Sequence, residues 1–113
     1  QQAVAAIAAG EVARYQRYDW AAGRLADSWR EVGPHGLILV EGVSALHPAL
    51  APLYDFRLWV ESDAATMLEA SLARGVGDWE PAWRELFMPS VALYLQTEPQ
   101  QRADQRVRGR GAA

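Results

Sequence analysis

Residues 36–62 read GLILVEGVSALHPALAPLYDFRLWVES, and two short β-rich runs in this stretch decide the expected fold. The runs LILV and FRLWV each end on a glutamate, Glu41 and Glu61. A short apolar run bounded by turn residues is typical of a strand that is buried on both faces of a parallel sheet. We therefore predict parallel strands over residues 37–43 and 55–61.

Helix-like and strand-like patterns alternate along the rest of the chain. This alternation favours one α/β domain over residues 1–113, with helices covering a sheet. Ser62 or Asp63 can cap the helix that follows the second run, and Pro89 should kink the last helix. The remaining predictions are helices over residues 3–13, 64–73 and 79–96, a short helix that includes Leu25 and Trp29, a strand or extended loop over 15–20, and a weak strand over 103–109.

The composition excludes several classes of chemistry. The chain has no cysteine, so disulfides and thiolate metal sites are excluded. All of its basic residues are arginine, and it contains no G-x-x-x-x-G-K-[ST] motif, so no phosphate-binding lysine exists in these 113 residues. The net charge of −3 gives no indication of nucleic-acid binding. No apolar stretch has the length of a membrane span and no signal peptide is visible, so we expect a cytoplasmic protein without membrane contact.

Two acidic positions are candidates for ligand chemistry. Glu41 lies at the carboxyl end of a predicted strand, which is where open α/β sheets bind ligands, and a carboxylate there can hold Mg²⁺ beside a phosphate. A simply solvated acid is the alternative. Asp19 lies between the aromatic residues Tyr18 and Trp20, which could form a pocket for a flat ring, or could instead pack in the core around a turn aspartate.

Two arginines could contribute to a phosphate-binding lid. Arg74 lies beside a glycine-rich stretch and Arg84 follows ten residues later. The planar guanidinium group suits phosphate oxygens. Solvent-exposed arginines at a helix end are the alternative interpretation.

These pieces, taken in order, resemble the second half of the uridine kinase-like P-loop kinases. The resemblance covers most of the chain, and its most specific part is the block EGV-x-AL-x-P-x-L-x-x-x-YD-x-R-x-WV. The matching stretches are YDW at 18–20, residues 37–62, LARG at 72–75, FMPSVALY at 87–94 and RADQRVRG at 102–109.

The resemblance implies a fold, a reaction and roles for individual residues. The fold would be a three-layer, P-loop kinase-like parallel sheet with helices on both faces, here with the N-terminal strand and the phosphate loop missing. The reaction would be transfer of the γ-phosphoryl group of ATP or GTP to the 5′-hydroxyl of uridine or cytidine, with Mg²⁺. The implied roles are Glu41 on the Mg²⁺ shell, Tyr18 and Asp19 in the nucleoside pocket, Arg74 and Arg84 in a lid over about 74–88, and Asp104 near the nucleotide base.

The resemblance also predicts what these residues cannot do alone. The catalytic base and the phosphate loop of such kinases have no counterpart here, so no catalytic residue is intact and we expect the chain to be inactive alone. The strand that leads into the phosphate loop would lie between residues 37–43 and 55–61, so an open slot is expected. That slot predicts marginal stability or homo-oligomerisation through open sheet edges. A non-catalytic nucleotide- or partner-binding module, and a kinase for another small hydroxylated acceptor, are the alternative functions.

Overall fold

The computed structural model describes residues 1–75 and 79–110 and has a mixed α/β architecture. Its strands form two separate two-stranded sheets, one antiparallel and one parallel. In chain order the elements are α1 (Gln2–Ala8), β1 (Ala13–Asp19), β2 (Arg24–Val32), a 3₁₀ turn (Ala51–Leu53), β3 (Leu58–Glu61), α2 (Ala64–Ala73), α3 (Glu80–Ala82), a π-helical turn (Trp83–Phe87), α4 (Met88–Leu95), a 3₁₀ turn (Pro99–Arg102) and β4 (Gln105–Arg108).

Strands β1 and β2 form a hairpin, which corrects the helix predicted at Leu25 and Trp29. A spacing of four residues fits one face of a helix, but it is also an even number, so it fits one face of a strand equally well. The turn decides between the two, because Gly23 adopts a positive φ of 64° and the Asp19 carboxylate accepts a hydrogen bond from the Ala22 amide at 3.0 Å. The extended conformation predicted for residues 15–20 is confirmed as part of β1.

Strands β3 and β4 pair in parallel, in register from Leu58 opposite Gln105 to Glu61 opposite Arg108. A side-chain clamp fixes the start of this pair. The Arg57 guanidinium donates to both carboxylate oxygens of Asp104, at 2.7 and 2.9 Å, and the Arg57 amide donates to the same carboxylate at 2.8 Å. Arginine is not among the residues that are enriched in strands, and β4 contains two arginines. The clamp holds β4 beside β3 in spite of this composition.

Residues 37–43 do not form a strand, so the prediction of a central parallel strand there is wrong. Residues 37–41 run without a turn or bend, but no backbone hydrogen bond of the described residues involves them. Leu37 is 98% exposed and Leu39 is 84% exposed. A strand needs a neighbour to satisfy its amides and carbonyls, and none lies beside this segment in the described part of the chain.

Helix α2 begins and ends as its local signals predict. The Asp63 carboxylate caps it, accepting from the Thr66 amide at 2.8 Å. The chain leaves the helix at Gly75, which has a φ of 83°. The second helical stretch, residues 80–95, is continuous, but its middle widens into the π-helical turn directly before Pro89. A proline has no amide to donate and its ring crowds the preceding turn, so the predicted disruption takes the form of a π turn.

The interior is small. Among the described residues, the buried apolar side chains are Ala13, Leu46, Ala51, Val91, Tyr94 and Pro99. Arg102 ties two parts of this interior together, because its Nε donates to the Leu46 carbonyl at 2.8 Å and its guanidinium also bonds Thr97 at the end of α4. The Cα radius of gyration, 15.9 Å, exceeds the roughly 13 Å expected for a compact domain of this length. The packing is therefore loose.

Candidate functional site

A cleft of about 460 Å³ lies between α2 and the helical stretch 80–95. Its walls are one face of each helix, because the contributing positions recur at helical spacing of three to four residues. The residues that line it are Val43, Ser62, Thr66, Met67, Ala70, Ser71, Arg74, Trp83, Phe87, Met88, Val91 and Arg110. Most of this lining is apolar, and one polar member, Ser71, is buried.

Three segment ends meet at this cleft. Ser62 directly follows β3, Arg110 lies two residues beyond β4, and Val43 follows the unpaired apolar run. Because β3 and β4 are parallel, their carboxyl ends lie at the same edge of the sheet. In open α/β sheets this edge is the place where ligands bind.

Two guanidinium groups give the cleft its positive charge. Arg74, at the end of α2, and Arg110 both line it, and both are exposed. Neither forms an ion pair with a carboxylate of the described residues. A mostly apolar cleft with two arginines suits an anion that has an apolar or aromatic body, because the forked guanidinium binds the anionic oxygens while the body excludes water.

Glu41 does not line the cleft. It is exposed, stands two residues before Val43, and takes part in none of the side-chain hydrogen bonds or ion pairs found within residues 1–75 and 79–110. Its oxygens are thus free of described protein partners. Protein-bound Mg²⁺ commonly uses one or two carboxylates and completes its shell with water and phosphate oxygens. A single free carboxylate two residues before the cleft wall is compatible with that chemistry.

Tyr18 and Asp19 lie at the tip of the β1–β2 hairpin, away from the wall of the cleft. The Tyr18 ring meets the Trp20 ring edge-on with centroids 4.8 Å apart, and Trp20 meets Trp79 at 5.8 Å. Trp20 is 72% exposed, so the alternative in which these aromatic residues pack in the core is wrong for Trp20. The contact between Trp20 and Trp79 brings the hairpin tip against the start of the helical stretch that carries Arg84.

Arg84 and Asp104 are both engaged by protein partners. Arg84 donates two hydrogen bonds to the Glu80 carboxylate, one turn earlier on the same helix, at 2.8 and 2.9 Å. Asp104 is held by Arg57 at the start of the parallel pair, and this partner holds the pKa of its carboxyl below the usual range. Of the predicted site residues, only Arg74 lines the cleft. The lid predicted over about 74–88 includes residues 76–78, which lie outside the described ranges.

The Arg57–Asp104 clamp predicts an acid-sensitive fold. The hydrogen bonds from Arg57 lower the pKa of Asp104 in the folded protein, and those from Thr66 lower that of Asp63. A group whose folded pKa is depressed stabilises the fold above its unfolded pKa, about 3.9 for aspartate, and this contribution is lost as the pH falls through the folded value. We expect the melting temperature to fall below about pH 4, and Asp104→Asn to lower it at pH 7 and flatten its acid dependence.

The matched control for this prediction is Asp55→Asn. Asp55 is exposed and forms no side-chain hydrogen bond or ion pair with the described residues. Its replacement should leave the curve of melting temperature against pH unchanged. Equal curves for wild type and Asp104→Asn would contradict a stabilising role for the clamp.

Sequence reasoning missed Arg110 and Trp79 as site residues. Arg110 stands in a run of alternating arginine and glycine, and no local pattern shows that it reaches a cleft whose other lining residues lie between Val43 and Val91. Trp79 matched an apolar helical spacing that predicted packing. Its contact with Trp20 exists only because the tip of the hairpin approaches the start of this helical stretch.

Comparisons with known proteins add no assignment. No family model matches the chain, and no curated protein matches it.

None of the helices within residues 1–75 and 79–110 has both the length and the apolar character that a membrane span requires. The same residues hold no cluster of three or more histidine or acidic side chains suited to a metal ion. The function is therefore inferred from the cleft and the sequence.

Proposed function

We propose that this chain is part of a uridine kinase-like phosphotransferase and that the cleft is its site for the phosphates of a nucleotide. One observation carries the proposal: the residues that follow β3, β4 and the LILV run all line one cleft together with Arg74. Open α/β sheets bind ligands outside the carboxyl ends of their strands, and the guanidinium groups in this cleft suit phosphate oxygens. The three-layer sheet of that fold belongs to the same proposal.

The proposed roles follow from charge and position. Arg74 and Arg110 bind phosphate oxygens, since each offers a planar pair of donors. Glu41 would hold Mg²⁺ either directly through a carboxylate oxygen or by accepting a hydrogen bond from a metal-bound water, and the metal would neutralise phosphate charge. Phosphoryl transfer depends on positioning and on neutralising charge around the transferred group. Without a lysine or a phosphate loop in these residues, binding should persist weakly while transfer to uridine or cytidine is not detectable.

The same proposal includes three residues that do not line the cleft, namely Tyr18, Asp19 and Asp104. The hairpin tip offers an exposed aromatic surface for a nucleoside ring, next to the stretch of chain proposed as a lid. Asp104 would have to release Arg57 before it could contact a base. We therefore assign Asp104 to the parallel pair first and to the nucleotide second.

Calorimetric titration of ATP with Mg²⁺ into the purified chain tests the proposal. We expect weak binding that falls about tenfold in Arg74→Ala, because one charge-assisted contact is lost, and that also weakens in Glu41→Ala when Mg²⁺ is present. Arg30→Ala is the matched control, since Arg30 lies on β2 and does not line the cleft. Absence of heat in the wild type, or equal loss in Arg30→Ala, would rule out a nucleotide site in this cleft.

A non-catalytic binding module is the second candidate. The largely apolar wall formed by residues such as Met67, Phe87 and Val91 favours it, because a phosphate site alone would not need that surface. Competition titrations without Mg²⁺ separate the two candidates. If a hydrophobic anion displaces ATP and binds more tightly than ATP under these conditions, the binding module is favoured over the phosphotransferase.

A further inference from the structure

The LILV run is the largest unexplained feature of the molecule. Its backbone forms no hydrogen bond with the described residues, and Leu37 and Leu39 expose nearly their whole side chains. Ile38 is half-buried and Val40 is 37% exposed, so the even-numbered side chains of the run are less exposed than the odd-numbered ones. An unpaired apolar segment of this kind is a template for pairing with another strand.

The segment is symmetric about its centre. Gly36 and Gly42 each lie three residues from Leu39, and both adopt a positive φ, 77° and 149°. The chain can therefore turn away at both ends of a straight run. A second copy laid antiparallel, with Leu39 opposite Leu39, would place glycine opposite glycine at each end and would meet no bulky side chain there.

Charge decides between antiparallel and parallel pairing. Glu41 is the only charged residue in residues 36–42. Parallel pairing in register would set the two Glu41 carboxylates side by side, which is unfavourable for like charges. Antiparallel pairing about Leu39 separates them by four residues, about 13 Å along the strands, beyond the screening length of about 10 Å in ordinary salt. In that register Glu41 lies diagonal to His35 of the second copy.

Antiparallel pairing also covers the exposed leucines. Leu37 and Leu39 lie on one face of the strand, and the same two residues of the second copy lie on the same face of the pair. Side chains that are opposite or diagonal across an antiparallel pair contact each other. Four leucines then form one cluster, and the ladder satisfies the amides and carbonyls that face the second copy.

We propose that residues 36–42 form a homodimerisation strand, paired antiparallel with the same residues of a second copy and centred on Leu39. The pairing uses one edge of each strand and is closed by a two-fold axis, so we expect a dimer. The wall of the cleft takes no residue from the strand. The strand and the proposed nucleotide site share one residue, Glu41, which lies at the end of the strand and is assigned to Mg²⁺, so the variants that test dimerisation alone leave Glu41 in place.

The absence of cysteine makes a direct test possible. Under oxidising conditions, Leu39→Cys should give a disulfide-linked dimer that a reductant reverses, because opposite Cβ atoms in such a pair lie within disulfide reach. Leu37→Cys alone should stay monomeric on a denaturing gel, whereas Leu37→Cys combined with Glu41→Cys should cross-link. Leu93→Cys is the control, since Leu93 is 63% exposed on α4 and lies outside the segment.

Sedimentation over a wide range of concentrations completes the test. We expect a monomer–dimer equilibrium in the wild type, a dissociation constant that rises roughly tenfold or more in Leu39→Lys because two like charges meet at the axis, and no change in Leu93→Lys. Both replaced leucines are exposed, so circular dichroism should show folded monomers. A wild type that is monomeric at every concentration, an open-ended polymer, or efficient cross-linking of Leu37→Cys alone would overturn the proposal.

Discussion

Replacing Leu46 by alanine is expected to abolish the cooperative thermal unfolding of this chain. Leu46 is 6% exposed and is the largest aliphatic side chain in the small buried set. Truncating a buried leucine costs about 2–5 kcal/mol, while even ordinary domains are stable by only about 5–15 kcal/mol. A loosely packed chain of this size should lie at or below the lower end of that range.

The measurement is a thermal melt followed by near-UV circular dichroism. Loss of the tryptophan and tyrosine signal at the lowest temperature would show that Leu46→Ala no longer holds a fixed interior. Leu93→Ala is the matched control and should change the free energy of unfolding by less than about 0.5 kcal/mol, because the side chain is exposed and alanine favours a helix. A sharp wild-type transition that Leu46→Ala barely shifts would contradict this account of the interior.

Gly109→Ala should separate the parallel strands β3 and β4. A Cβ at this position would lie 2.7 Å from the Glu61 carbonyl oxygen and 2.8 Å from Val60 Cγ1, and it would also collide with Ser62. The Gly109 amide donates to the Glu61 carbonyl at 2.7 Å, so the chain cannot move away without losing this bond. Overpacking against fixed atoms costs about 1–3 kcal/mol.

The same substitution at Gly33 provides the control. A Cβ there would meet only the His35 ring, at 2.6 Å, and an exposed imidazole can rotate away. Urea unfolding should therefore show a lower midpoint for Gly109→Ala and an unchanged midpoint for Gly33→Ala. Equal midpoints would mean that β4 is held by the Arg57–Asp104 clamp alone.

Single substitutions should separate dimerisation by the LILV run from ATP binding in the cleft. Val43 lines the cleft, but residues 37–41 do not. Leu39→Lys should therefore leave ATP binding intact while it removes the dimer, and Arg74→Ala should have the opposite effect. If either variant lost both ATP binding and dimerisation, the strand and the cleft would form one structural unit.

Local signals were sufficient for several elements. Helix α2 carries its cap, Asp63, and its terminating glycine, Gly75, in its own sequence, and both act as expected. The weak strand predicted over 103–109 contains the shorter observed strand β4, Gln105–Arg108. The position of Arg74 at the end of α2 follows from the same signals, and this is why one site residue could be placed in advance.

Other elements depended on partners far along the chain. Residues 24–32 became a strand because β1 lies beside them, although their Leu25 to Trp29 spacing also fits a helix. Arg57 and Asp104 are 47 residues apart, and nothing near either residue shows that they meet. The grouping of Arg74 with Arg110 is likewise a product of how the two helices and the parallel pair are arranged.

The sequence by itself determined where α2 begins and ends and which runs are apolar enough to enter a sheet. Only the tertiary structure decided which of those runs found a partner. Residues 58–61 are paired and residues 37–41 are not. The physical reason is that a helix satisfies its amides and carbonyls within itself, whereas a strand must find them on another segment, and no local pattern records whether that segment is present.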